Sequence, residues 1–196
     1  MKQFIDKYLA ILGIIWLSPI LILLYFVILL TMGSPVIFKQ ERSGKNGKPF
    51  SIFKFRSMTD KKDDNGQLLP NDQRITKIGK VLRKTSLDEL PQLFNVVKGD
   101  LSLVGPRPLH MEYNQYYNEE QAKRLDVTPG ITGWAQINGR NNLTWKEKFE
   151  LDTWYIDNKS LKLDIYILFQ TVLKVLKRND VDNSETGQVE KFNGRN

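Results

Sequence analysis

The sequence predicts a membrane-associated mixed α/β protein of the α+β kind. It has an N-terminal membrane helix, a small β-hairpin and a compact cytoplasmic domain with amphipathic helices at the membrane interface. Three observations predict this. Residues 8–32 carry no charge. Two β-prone runs, 36–38 and 50–55, flank a turn-rich stretch at 43–48. Beyond them, apolar residues recur at helical spacing between short Gly- and Pro-bounded strand candidates.

The apolar run comes first. At about 1.5 Å per residue a straight helix over it reaches roughly 37 Å, enough for a hydrocarbon core about 30 Å thick. It is too long for the apolar region of a signal peptide, and Gly33-Ser34-Pro35 is a poor cleavage site. It is apolar on every side, unlike a helix half-buried in a soluble core. Ser18-Pro19 lies near its middle, where the missing proline N–H should kink or break the helix. The freed carbonyl then needs a donor, and the Ser18 hydroxyl is close. Lys2 and Lys7 precede the run; Lys39, Arg42, Lys45 and Lys48 follow it. Basic flanks prefer the cytoplasm. A re-entrant hairpin satisfies both flanks and a simple span satisfies one, so the residues leave both forms open.

The rest of the chain divides into a domain over 35–178 and a polar, disordered tail over 179–196. Residues 60–72, with Asp63-Asp64-Asn65-Gly66, read as a loop. Ile75, Ile78, Val81 and Leu82 mark a helix, and residues 101–104 a strand stopped by Gly105-Pro106. Residues 111–125 read as helical, 131–137 as β-like and 145–154 as helical. Residues 163–176 form an amphipathic helix with Ile165, Leu168, Phe169, Val172, Leu173 and Leu176 on one stripe. That stripe faces either the core or the membrane interface.

Composition narrows the chemistry. The chain has 196 residues, a net charge of +7, no cysteine and one histidine, His110. Disulfide, thiolate-zinc, iron–sulfur and multi-histidine centres are excluded, and so is a cysteine nucleophile. No Gly-rich nucleotide loop and no nucleic-acid module is present, so no nucleic-acid partner is expected.

Ser86-Leu87-Asp88-Glu89-Leu90-Pro91 is the most suggestive local pattern. Ser86 and Glu89 fit a capping box. A helix starting at Asp88 instead leaves Pro91 in its first turn and puts the Asp88 carboxylate at a helix N-terminus, which keeps it ionised. Adjacent carboxylates with Arg83 and Lys84 upstream also suit phosphate chemistry. Arg56, Arg107 and Arg140 sit in turn-bounded contexts, and prolines on both sides of Arg107 aim its side chain. A planar guanidinium suits bidentate phosphate binding.

At these residues the chain resembles a known family. The block 83–96, the block Lys98-Gly99-Asp100-Leu101-Ser102-Leu103-Val104-Gly105-Pro106-Arg107-Pro108, the block 129–140 and Lys54-Phe55-Arg56-Ser57-Met58 resemble the bacterial sugar transferases, the monotopic phosphoglycosyl transferases. The likeness covers residues 2–177. It implies transfer of a sugar 1-phosphate from a UDP-sugar to undecaprenyl phosphate, with release of UMP. It implies an Asp–Glu catalytic dyad at Asp88 and Glu89, a covalent aspartyl-phosphosugar intermediate, and Mg²⁺ at Asp88. It implies phosphate contacts from Arg107 and Arg140, with Lys54, Arg56 and Arg83 as further substrate-binding candidates. It also implies a re-entrant membrane helix broken at Ser18-Pro19, at the cytoplasmic face of a bacterial inner membrane. The short form resembles the phospho-bacillosamine transferases of N-glycan assembly, which implies UDP-N,N'-diacetylbacillosamine as donor and downstream glycosyltransferases as partners. The alternative is a membrane-anchored scaffold of a glycan-assembly pathway.

Overall fold

The computed structural model describes residues 1–139, 142–177 and 191–196. The elements run α1 (Lys2–Met32), β1 (Ile37–Ser43), β2 (Pro49–Phe55), α2 (Asn71–Arg74), α3 (Lys77–Lys84) and α4 (Gln92–Lys98). They continue with β3 (Ser102–Val104), α5 (Glu119–Ala122), β4 (Gly130–Thr132), α6 (Trp134–Asn138), α7 (Trp145–Asn158) and α8 (Leu161–Lys177). The fold is mixed α/β and mostly helical.

α1 is long and apolar enough to cross a membrane. It forms one continuous helix with Pro19 inside it, so the expected break at Ser18-Pro19 does not interrupt the helix. The reason is local. Pro19 lacks the N–H that would bond the Ile15 carbonyl, and Ser18 Oγ donates to that carbonyl instead, at 2.7 Å. One orphaned acceptor is satisfied and the helix continues.

Both ends of α1 dock on the same domain. Near its start, Lys2 pairs with Asp164, Ser102 Oγ donates to Asp6 in a short buried hydrogen bond, and Ala10 packs against Ile52, Val96 and Leu101. Near its end, Ile28 packs against Val36, Phe55 and Leu82, with Leu21, Leu24 and Met32 around them. Most other apolar side chains of α1, including Phe4, Tyr8, Trp16, Leu23 and Leu30, are exposed.

β1 and β2 form the expected antiparallel hairpin, longer than the two runs suggested, with Ile37 opposite Phe55 and Ser43 opposite Pro49. Asn95 on α4 pins it. Its Oδ1 accepts from the Phe53 N–H and its Nδ2 donates to the Ser51 carbonyl. β3 and β4 pair in parallel, Ser102 with Gly130 and Val104 with Thr132. Gly105 and Gly130 touch backbone to backbone here, and a Cβ on Gly130 would lie 2.1 Å from Gly105 N.

Three expectations need correction. Residues 111–125 are not one helix but short 3₁₀ turns around the single-turn α5. Tyr113 and Tyr117 turn into an aromatic cluster with Trp145, Phe149 and Phe192, which irregular backbone serves better than a helix face. Strand geometry within 131–137 ends at Thr132, and α6 follows. The polar tail is not detached at its end. Residues 178–190 lie outside the described residues, but Phe192 is buried in that aromatic cluster.

α8 divides the expected stripe between two edges. Leu163, Ile167 and Leu168 pack on Val104, Ile137 and Tyr155. Leu161, Ile165, Phe169, Val172 and Leu176, spaced by three or four residues, are exposed.

Candidate active site

The dyad lies at the entrance to α4. Thr76 caps α3 by accepting from the Gly79 N–H, and α3 ends at Lys84. Ser86 then takes a left-handed conformation, φ 56° and ψ 17°, without glycine. Such backbone in a non-glycine residue is strained and concentrates at functional sites. A 3₁₀ turn over Leu87–Glu89 follows, and Leu90 and Pro91 lead into α4. The capping box therefore does not form. The Ser86 side chain makes no cap hydrogen bond, and Glu89 reaches elsewhere. Nor does α4 start at Asp88; it starts after Pro91, because the proline fits the N-cap position better than the helix interior.

Glu89 is the hub of the site. Lys54 Nζ and Arg107 Nη2 both donate to its Oε1, at 2.7 and 2.8 Å. Burial alone would raise the Glu89 pKa. The charges and hydrogen bonds of Arg107 and Lys54 outweigh it and hold the carboxyl far below the usual range. Glu89 in turn raises the pKa of Arg107. β2 supplies Lys54, and the Pro106–Pro108 segment after β3 supplies Arg107.

Asp88 goes the other way. It is 7% exposed, and no hydrogen bond reaches its carboxylate among the described residues. Burial raises its pKa to about 6, the Glu89 charge adds to the rise, and Lys54, Arg83 and Arg107 oppose it. A helix N-terminus does not hold it low, because burial beside a second carboxylate wins. Asp88 is still ionised at neutral pH, and it is more basic than an ordinary carboxylate.

The other predicted residues separate. Arg83 stays at the site, its Nε held by Ser57 Oγ at 2.9 Å. Ser57 itself sits against Gly79, where a Cβ would lie 1.8 Å from the Ser57 carbonyl oxygen, so glycine is required. Arg56 turns away. Its guanidinium donates to the carbonyls of Met32, Ser34 and Met58 and pairs with Asp60. It serves the carbonyl-rich C-terminal end of α1. Arg140 lies outside the described residues. Sequence reasoning missed Ser57 and Asn95, whose roles depend on contacts across β2, α3 and α4.

The donor set suits Mg²⁺ in one specific way. No cluster of three or more Asp, Glu or His side chains able to hold a metal occurs among the described residues. Mg²⁺ commonly takes one or two carboxylates and completes its shell with water and substrate phosphate. Asp88, anionic and without a hydrogen-bond donor on it among the described residues, would be such a carboxylate.

Comparison with known proteins places this chain among relatives. A sequence model of the family described as bacterial sugar transferase matches residues 1–178. The chain is 53% identical over 194 residues to a Bacillus subtilis (strain 168) protein named uncharacterized sugar transferase EpsL. That match covers 99% of this chain and 96% of the relative. It is 44% identical over 184 residues to the UDP-glucose:undecaprenyl-phosphate glucose-1-phosphate transferase of Escherichia coli (strain K12), covering 89% of this chain and 40% of that one. It is 39% identical over 196 residues to the undecaprenyl-phosphate galactose phosphotransferase of Salmonella typhimurium, covering 91% and 41%. The chain thus spans about two fifths of the length of these last two relatives.

Proposed function

The chain belongs to the bacterial sugar transferase family, and from that membership we propose that it is a phosphoglycosyl transferase. It moves a sugar 1-phosphate from a UDP-sugar to undecaprenyl phosphate and releases UMP. The names of the relatives with glucose and galactose support this reaction class. The observation that carries the reading is the split dyad, a basic, buried Asp88 beside a Glu89 clamped by two cations.

In the proposed route, an Asp88 carboxylate oxygen attacks the phosphorus that bears the sugar. The bond from that phosphorus to the bridging oxygen breaks, and UMP leaves with the electron pair. A polyprenyl phosphate oxygen then attacks the aspartyl phosphosugar, giving the diphosphate-linked product and restoring the carboxylate. Raised basicity favours Asp88 as nucleophile. Glu89 is a poor nucleophile here because its charge is spent on Lys54 and Arg107. It fixes those cations where negative charge must be offset. Arg83 adds a third. Mg²⁺ bound at Asp88 together with the donor phosphates would neutralise diphosphate charge.

Membrane association is monotopic in this reading. In this reading α1 bends at Pro19 without losing its helical continuity, and enters and leaves by the cytoplasmic face of the inner membrane, which suits a helix whose two ends both dock on one domain. The exposed edge of α8 lies in the interface of the same leaflet.

The direct test is UMP release from a panel of UDP-sugars with undecaprenyl phosphate. UDP-glucose, UDP-galactose and UDP-N,N'-diacetylbacillosamine are compared. No UMP from any of them would defeat the assignment. For topology, Cys at Lys2 and Lys45 should label from the same side; labelling from opposite faces would exclude the re-entrant arrangement.

A further inference from the structure

Among the described residues, a few buried polar side-chain atoms have no hydrogen-bond partner, and only Arg42 contributes a charged one. Arg42 sits near the end of β1. Its Nη2 donates to Gln40 Oε1 at 2.6 Å, two residues back on the same face of the strand. Its Nη1 is buried and bonds to nothing. No carboxylate pairs with it among the described residues. Ser43, the next residue, also has a buried unpartnered hydroxyl, but neighbours along a strand point to opposite faces and it is not part of this arrangement.

The surroundings make the missing partner specific. Burial, and next the charge of Arg107, lower the Arg42 pKa to about 10, which leaves it charged at neutral pH; Tyr113 opposes the shift. His110, also near Arg42, has its own pKa lowered by burial and then by Arg42. Arg107 spends one N–H on Glu89 and makes no other side-chain hydrogen bond among the described residues. The two guanidinium groups thus feel each other's charge, and among the described residues the only carboxylate bonded to either is Glu89. Among the described residues named here, Lys54, Arg83, Arg107 and Arg42 set against Asp88 and Glu89 leave two surplus positive charges. A buried unpaired charge is unfavourable, and guanidinium groups recognise phosphate oxygens through their forked donors.

We propose that Arg42 and Arg107 together bind a phosphate monoester dianion, with Arg42 Nη1 donating to one of its oxygens. The inference rests on the reaction proposed above, which contains two such groups, the leaving UMP and the entering polyprenyl phosphate. Arg42 is a binding residue for one of them and takes no part in bond breaking.

The test uses the full chain in detergent micelles with UMP, uridine and a short-chain polyprenyl phosphate as probes. Arg42→Gln and Arg42→Lys are compared with the unaltered protein in binding and in thermal unfolding. Arg42→Gln should bind one of the two phosphate esters about tenfold or more weakly, leave uridine unaffected and leave Tm unchanged or higher. Arg42→Lys should recover part of the affinity. A loss confined to UMP assigns the donor side, and one confined to polyprenyl phosphate assigns the acceptor side. Unchanged affinity for both esters overturns the proposal, and so does a fall in Tm in both variants, which would make Arg42 a packing residue. If the unaltered protein binds neither ester, the reaction class itself is wrong. If it binds them and the variants bind equally, only the role of Arg42 is.

Discussion

Asp88 and Glu89 share one 3₁₀ turn yet sit on opposite sides of the ordinary carboxylate range. Burial raises Asp88, and Glu89 repels it further. Lys54 and Arg107, both bonded to Glu89 Oε1, drive Glu89 down. Adjacent residues therefore divide the work. One is a basic carboxylate with no hydrogen bond among the described residues, and the other is a fixed anion that organises the cations.

The pH profile should carry this signature. Because Asp88 titrates at about 6 without metal, single-turnover UMP release should fall on the acid side, at a pH that Mg²⁺ at Asp88 lowers. In Glu89→Gln one cause of the rise is gone and two cations are freed, so the acid limb should move to lower pH. Arg107 and Lys54 would lose their anchor, and kcat/KM should drop on the order of 10²-fold. An unmoved acid limb would count against Glu89 as a cause.

Stability should run opposite to activity at Asp88. Its folded pKa lies above its unfolded one, so the native state binds the proton more readily. This group's contribution to stability is therefore lost as pH rises from about 4 to about 6. Asp88→Asn should be more stable than the unaltered protein above pH 6, by roughly 3 kcal/mol, because each tenfold difference in proton affinity between the folded and unfolded chain is worth about 1.4 kcal/mol. The gap should close toward pH 4. Glu89 and Asp152 titrate in both proteins and largely cancel in this difference. Denaturant unfolding of both proteins at pH 4.5 and 7.5 checks the sign.

Arg56 should matter for stability alone. Arg56→Met leaves the Met32 and Ser34 carbonyls without their donor at the end of α1. Unfolding free energy should fall by about 2 kcal/mol, while UMP release per folded molecule stays within about twofold. A large loss of turnover at full stability would return Arg56 to the substrate site.

Much of this organisation is legible in the sequence. The uncharged run, the hairpin and the Asp88-Glu89 pair all show there, because each depends on residues close in the chain. What is not legible depends on packing. Ser18 can satisfy the carbonyl freed by Pro19, but only the structure shows that the helix continues. Arg56 and Arg107 look alike as turn-bounded arginines. They separate because one meets the end of α1 and the other meets Glu89. Residues 111–125 are polar enough for a surface helix, and the aromatic cluster that bends them includes Phe192, far along the chain.

That cluster gives a fourth prediction. Phe192 contacts Tyr113, Tyr116, Tyr117, Trp145 and Phe149, and it lies beyond the residues that the family pattern matches. Phe192→Ala should cost about 3 kcal/mol. Thermal unfolding measures it, and an unchanged Tm would mean that the C-terminal residues do not hold this position in solution.

The proposed mechanism stands on a bond between Asp88 and the phosphosugar, and such a bond can be weighed. Full-length protein is mixed with a UDP-sugar that it accepts, without polyprenyl phosphate. The mass of the peptide containing Asp88 is measured while UMP is counted. One sugar phosphate on that peptide and one UMP per active site are expected, with neither in Asp88→Asn. UMP release by Asp88→Asn at the unaltered rate, or sugar phosphate on a different residue, would contradict the mechanism.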